Sequence, residues 1–177
     1  SEAANRSALD PLLMPRGPTI AVEDVWIEPE LHATDPSLST NRREWFRDTG
    51  PDAPARLVPL GGAAGAGKTS LRWHFAAERA AEAAEDADAP LPVVVTAQNL
   101  VLRGAAAVAA AMSSTEPGQL WADQGTDWLV LVDGFDEVAE PARTRASHEV
   151  RQLLKVKTVV GVAVACRDSH LSPGLFG

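Results

Sequence analysis

The chain has 177 residues, a hydrophobic fraction of 45% and a formal net charge of −8 at pH 7. This length is enough for one domain with a hydrophobic core, and the acidic balance excludes a generally basic surface for nucleic acid or anionic membranes. With Cys166 as its single cysteine, the chain can form neither an internal disulfide nor a cysteine-based metal site. Because the sequence contains no apolar signal segment and no run of about 18 apolar residues, we expect a soluble cytoplasmic domain with no membrane partner.

The N-terminal third is poor in regular patterns. Residues 1–19 are polar and interrupted by three prolines, which predicts an arm or linker. Residues 19–31 mix β-branched and aromatic residues with acids, which favours a short extended segment. Residues 32–55 are loop-like and could include a short helix around residues 41–47. We therefore expect the folded domain to span residues 20–177.

From residue 56 onward, apolar strands alternate with helices. The helices are predicted in residues 67–87, 104–114 and 141–154, and the first of them places Leu71, Phe75 and Arg79 on one face. Fully apolar strands alternating with helices predict an α/β fold with a mostly parallel sheet covered on both faces. The predicted strands are 56–60 (RLVPL), 91–100 (LPVVVTAQNL), 127–134 (DWLVLVDG) and 158–168 (TVVGVAVACRD).

A glycine-rich loop joins the first predicted strand to the first helix. Residues 62–69 read GAAGAGKT, a phosphate-binding pattern in which glycines allow backbone N–H groups to turn inward. Lys68, the only lysine in the first 154 residues, would bind the β- and γ-phosphates, and the Thr69 hydroxyl would ligate Mg²⁺. The predicted nucleotide-binding residues are Gly62, Ala63, Ala64, Gly65, Ala66, Gly67, Lys68, Thr69 and Ser70.

A second pattern is the acidic end of the strand at 127–134. Asp133 follows four apolar residues, and an acid in that place beside a phosphate loop can hold Mg²⁺ through water. Asp136 and Glu137 follow closely and could orient or activate an attacking water. Between these two we favour Glu137 as the general base, while Asp136 remains the alternative.

A third pattern is the end of the last apolar strand, where Cys166 and Arg167 occur. Ligands bind at the carboxyl ends of the strands in such sheets, so Arg167 could contact the γ-phosphate and act in catalysis. The alternative is a surface arginine paired with Asp168. Cys166 is expected to be a small buried apolar residue.

Two of these patterns together resemble the NACHT branch of the STAND NTPases. The resemblance is carried by GGAAGAGKTSL (61–71) followed by LVLVDGFDEV (129–138). In the second segment an apolar strand is followed by an Asp, a small residue, an apolar residue and then Asp-Glu, here Asp133-Gly134-Phe135-Asp136-Glu137. VAVACRD (162–168) is similar to the family's sensor strand, which ends in a Ser/Thr/Cys-Arg pair, here Cys166-Arg167. VEDVWIEPEL (22–31) looks like the extended segment that often precedes the first strand in these proteins.

The resemblance implies a three-layer P-loop NTPase fold of the AAA+/STAND type, with ATP or ADP and Mg²⁺ as ligands. Such proteins are multidomain switches in defence or signalling, which hold ADP at rest and oligomerise with ATP. A helical lid and a winged helix usually follow the sensor strand, and this sequence ends at Gly177, before either. The expected function is therefore a slow ATPase core whose partners are its own lid, sensor and effector domains and other copies of itself.

Other function classes remain open at this level. An AAA+ motor ATPase would form a hexamer with an arginine acting in trans. A GTPase should carry an Asn-Lys-x-Asp motif, which the sequence lacks, and a small-molecule kinase would need a second substrate pocket, which it does not reveal. A pseudoenzyme that holds nucleotide without hydrolysing it is the last alternative, and no motif for direct nucleic-acid binding is apparent.

Overall fold

The computed structural model describes residues 55–113 and 126–170. The predicted arm at 1–19, the extended segment at 19–31 and the short helix around 41–47 lie outside these residues. None of the helices within them combines the length and apolar character that crossing a bilayer requires.

Four strands and four helices follow one another in the described part of the chain. The strands are β1 (Arg56–Leu60), β2 (Leu91–Thr96), β3 (Trp128–Asp133) and β4 (Val159–Ala165). The helices are α1 (Lys68–Glu85), α2 (Ala97–Arg103), α3 (Ala106–Ser113) and α4 (Glu140–Leu153), with short 3₁₀ turns at Phe135–Glu137 and Asp168–His170.

The strands form one parallel sheet in the order β1-β4-β3-β2. The predicted parallel α/β arrangement is thus confirmed for the described residues. Because all four strands run the same way, their carboxyl ends share one edge. β4 ends just before Arg167 and lies between β1 and β3. β1 leads into the glycine-rich loop, and β3 ends at Asp133.

Helices cover both faces of this sheet. On one face Leu131 of β3 packs with Phe75 of α1, and both side chains are buried. On the other face Val132 joins a larger cluster that includes Leu100 of α2 and Val150 of α4. Successive residues of β3 therefore point into opposite cores, which explains why its sequence is apolar without alternation.

The prediction of one strand over residues 91–100 is wrong for its last four residues. The strand ends at Thr96 and α2 begins at Ala97. The Thr96 side chain accepts a hydrogen bond from the Asn99 backbone N–H at 3.2 Å, which is an N-cap contact that starts a helix. The apolar residues that follow therefore continue the core on a helical face, with Leu100 fully buried.

Candidate functional site

The glycine-rich loop between β1 and α1 depends on left-handed backbone at two glycines. Gly65 has φ +77° and Gly67 has φ +79°, a region that residues with side chains rarely adopt. A Cβ atom added at either glycine would meet no atom within 4 Å. The glycines are thus required by the backbone conformation rather than by lack of space.

Lys68 is the first residue of α1, and its side chain folds back over the loop. Its Nζ donates hydrogen bonds to the carbonyl oxygens of Gly62 and Ala63, both at 2.8 Å. The ammonium is therefore positioned at the helix N-terminus, where backbone N–H groups and the helix dipole add positive charge. Such a place favours phosphate oxygens.

The acidic segment after β3 is a 3₁₀ turn with one buried residue, Phe135. Gly134 is left-handed with φ +64°, and Phe135 is fully buried in the core that faces α2 and α4. The Glu137 N–H donates to the Gly134 carbonyl at 3.0 Å, which closes the turn. Phe135 thus fixes the turn from below, while Asp136 and Glu137 line the cleft above it.

Arg167 follows β4 and forms an ion pair with this turn. Its Nε lies 2.7 Å from Oδ2 of Asp136, and the two side chains are 54% and 11% exposed. The pair joins β4 to the end of β3 and differs from the surface pair with Asp168 that the sequence allowed. Asp136 is consequently engaged and mostly buried, whereas Glu137 is exposed at the cleft.

These segments enclose one cleft of about 310 Å³. Cationic Lys68 and Arg167 and the acids Asp133, Asp136 and Glu137 meet there, although they come from three separate parts of the sequence. Of the remaining predicted residues, Ala64, Gly65, Ala66, Gly67 and Thr69 also line it. The structure does not bring Ser70 into the cleft lining, and Gly62 and Ala63 contribute their carbonyl oxygens to Lys68 instead.

Sequence reasoning missed Arg72. This arginine of α1 is almost completely buried, forms an ion pair with Asp133 and lies over the Trp73 ring with 4.7 Å between its Cζ and the ring centroid. The usable signal was its spacing, since a residue four positions after Lys68 lies on the same face of the helix. Recognising its partner required the strand order, which the sequence does not reveal.

The residues at this edge fit a magnesium ion that is shared with phosphate. Thr69 and Asp133 line the same cleft and offer the hydroxyl and carboxylate oxygens that Mg²⁺ prefers. Within the described ranges no group of three or more His, Cys, Asp or Glu side chains forms a metal cage. Mg²⁺ usually combines one or two protein ligands with water and substrate phosphates. Arg72 would have to share Asp133 with the ion or release it.

Cys166 stands between Ala165 and Arg167, which line the cleft, and its side chain is fully buried. Burial, followed by the negative charges of Asp136 and Asp168, raises the pKa of its thiol to about 11, with a smaller opposing effect from Lys68. The thiol is therefore neutral at physiological pH and is not a nucleophile. The expectation of a buried apolar cysteine is confirmed.

Comparison with known proteins gives no assignment beyond this geometry. No protein-family model matches the sequence, and no curated protein or solved structure matches it either.

Proposed function

We propose that the chain is the nucleotide-binding core of a NACHT-like STAND P-loop NTPase, which binds Mg·ATP and Mg·ADP and hydrolyses ATP slowly. The observation that carries this proposal is the single cleft in which Lys68, Thr69, Asp133, Glu137 and Arg167 meet. Each of these residue types suits one part of phosphoryl transfer. The parallel sheet with the cleft at its carboxyl edge is the usual place for such a ligand.

The loop and Lys68 would hold the phosphate chain. Backbone N–H groups of the loop surround the phosphates, and the Lys68 ammonium exchanges its contacts with the Gly62 and Ala63 carbonyls for phosphate oxygens. When bound, Mg²⁺ would neutralise negative charge on the phosphate chain. Thr69 and Asp133 are the residues that would hold the ion.

Glu137 is the better candidate for the general base. The Asp136 carboxylate accepts a charge-assisted hydrogen bond from Arg167 and is only 11% exposed. Glu137 is exposed on the same turn and lines the cleft, so it can reach a water molecule there. Arg167 contacts Asp136 through Nε, and a guanidinium has five N–H donors in all. Its terminal nitrogens can therefore stabilise charge on the transferred phosphoryl group.

The switch role follows from the resemblance and from this nucleotide site. An ADP-bound resting form and an ATP-bound form that self-associates would be distinguished by whether the γ-phosphate contacts Arg167. In the larger defence or signalling protein, this difference would be passed to lid, sensor and effector domains. A rise in turnover that is steep in protein concentration would instead favour the motor-type alternative, in which a neighbouring subunit completes the site.

The direct test is nucleotide binding by the purified chain. Nucleotide released on denaturation is identified, and Mg·ADP and Mg·ATP affinities are measured by calorimetry. Lys68→Ala should weaken binding about 10- to 100-fold, the range expected for lost hydrogen bonds to a charged group. Lys155→Ala is the matched control, because it removes the same charge from an exposed position away from the cleft. Absence of both bound nucleotide and measurable affinity in the wild type would refute the proposal.

A further inference from the structure

A second cleft adjoins the phosphate-binding cleft. It measures about 440 Å³ and lies between α1, the carboxyl end of β2, and the helices α2 and α3. Asp133 lines both clefts, and Arg72 lines the second one. The ion pair between these two residues therefore lies where the two clefts adjoin. No role for the second cleft follows from nucleotide binding.

The lining of this cleft combines positive charge with an apolar wall. Arg72 and Arg103 contribute guanidinium groups, Thr96 and Asn99 contribute smaller polar groups, and Trp73 adds an aromatic ring. Valines of β2 and alanines of α3 form the remaining surface. Pockets of roughly 300–1,000 Å³ with a few convergent polar groups are typical of small-molecule sites. The size and the lining of the cleft therefore suit a compact organic ligand.

The two arginines define the charge of that ligand. Arg103 is exposed and takes part in none of the ion pairs between described residues. Arg72 is 4% exposed, and its charge is balanced by Asp133. Since a guanidinium matches carboxylate and phosphate groups with two parallel hydrogen bonds, an anionic group is the expected recognition element. The apolar wall would accommodate an organic body attached to it.

Asp133 gives the two clefts a physical connection. In the nucleotide site its carboxylate is needed near Mg²⁺, whereas in this structure it is paired with Arg72. A cation at Asp133 would weaken the attraction of Asp133 for Arg72 and so strengthen the attraction of Arg72 for an anion in the second cleft. An anion that attracts Arg72 would in turn leave Asp133 available to the metal. Linkage requires these two effects to be equal in free energy.

We propose that the second cleft binds a small organic anion, a phosphate monoester or a carboxylate with an apolar body, and that Arg72 couples its occupation to Mg·nucleotide binding. The anion site is inferred from the size and the lining of the second cleft alone. The coupling rests on the proposed nucleotide-binding function.

The anion site is tested by calorimetry with phenyl phosphate and benzoate as the two probes and benzyl alcohol as the neutral control. The protein is saturated with Mg·ADP so that the phosphate loop is filled. We expect saturable 1:1 binding of at least one anion, and comparison of the two shows which anionic group is preferred. Arg103→Gln should weaken binding about tenfold or more. Arg145→Gln, an exposed arginine of α4 outside the cleft, should leave it unchanged.

Three results would overturn the site. They are a lack of saturable binding by both anions, equal binding of benzyl alcohol, and an Arg103→Gln variant that binds as tightly as the wild type. Arg103 is exposed, so this variant is expected to fold.

The coupling is tested by measuring benzoate or phenyl phosphate affinity with and without Mg·ADP. We expect binding to be about fivefold tighter or more with Mg·ADP, and this difference to disappear in Arg72→Gln. Equal affinities in the wild type would overturn the coupling.

A parallel titration in Lys68→Ala separates this proposal from the one on which it rests. The variant measures the second cleft without a working phosphate loop. Probe binding there, combined with no Mg·ADP binding by the wild type, refutes the nucleotide function and supports the anion site. Mg·ADP binding by the wild type without probe binding supports the nucleotide function and refutes the anion site.

Discussion

A methyl group added at Gly134 should slow ATP hydrolysis while leaving ATP binding intact. Gly134 has φ +64°, where an alanine costs about 1–2 kcal/mol relative to a right-handed position. The added Cβ would also lie 3.0 Å from Oε2 of Glu137, so that the carboxylate must move by a few tenths of an ångström. Neither change touches the phosphate loop or Lys68.

The expected size of each effect follows from these contacts. For a chain of this length, a loss of about 1–2 kcal/mol lowers the Tm by about 2–8 °C. ATP affinity should stay within about twofold of the wild type, because Lys68 and the helix N-terminus are unchanged. The kcat should fall about tenfold, since displacing a general base by even part of an ångström disturbs its contact with the attacking water.

Gly104→Ala provides the matched control. Gly104 also has a positive φ, +58°, and its added Cβ would lie 2.8 Å from Oε2 of Glu149, but it lies outside the nucleotide cleft. Steady-state ATP hydrolysis, calorimetric ATP affinity and thermal unfolding are measured for both variants, well below both Tm values. An unchanged kcat in Gly134→Ala, or an equal loss of kcat in Gly104→Ala, would show that the turn does not position the base.

Four further variants test the same site. Glu137→Gln should retain ATP binding and lower kcat about 100-fold or more, whereas loss of turnover in Asp136→Asn alone, with Glu137→Gln still active, would reverse the choice of base. Phe135→Ala should lower the free energy of unfolding by about 3–5 kcal/mol in urea titrations, because the ring is fully buried, and a much smaller loss would contradict its anchoring role. The pKa of the Cys166 thiol is raised from 9.0 to about 11, so the folded state favours the neutral thiol. The raised pKa of this thiol adds to the free energy of unfolding. This addition is complete below pH 9.0 and is lost as the pH rises towards 11. Unfolding titrations at both ends of this range should show a smaller alkaline loss in Cys166→Ala, and equal losses would contradict the assignment.

Local patterns were sufficient to predict the elements that border the cleft. The strands β1, β3 and β4 are continuous apolar runs that end at a glycine or at a polar residue, and α1 follows directly from the loop. The boundary between β2 and α2 could not be found in this way. It depends on the Thr96 cap and on a short helix whose apolar residues continue the pattern of the strand.

Relations between distant segments were the part that the sequence could not predict. Lys68, Asp133 and Arg167 were identified because each stands at the end of a recognisable strand or loop. The pairing of Arg72 with Asp133, and of Arg167 with Asp136, depends on which strands are neighbours and on their register. The second cleft depends on how α1, α2 and α3 pack, so no single stretch of sequence predicts it.

The position of β1 at one side of the described sheet has a consequence for the order of folding. Its partner is β4, and the pairing of Leu60 with Ala165 joins residues about a hundred positions apart. Contacts of such long range form slowly, because the intervening chain must be closed into a large loop first. The strand β1, which leads into the glycine-rich loop, therefore gains its neighbour β4 only after nearly all of the described chain has been synthesised. Until then β1 lacks β4, its neighbour in the described sheet, and a nascent chain that stops before β4 would expose the edge of β1 that β4 covers, which favours aggregation.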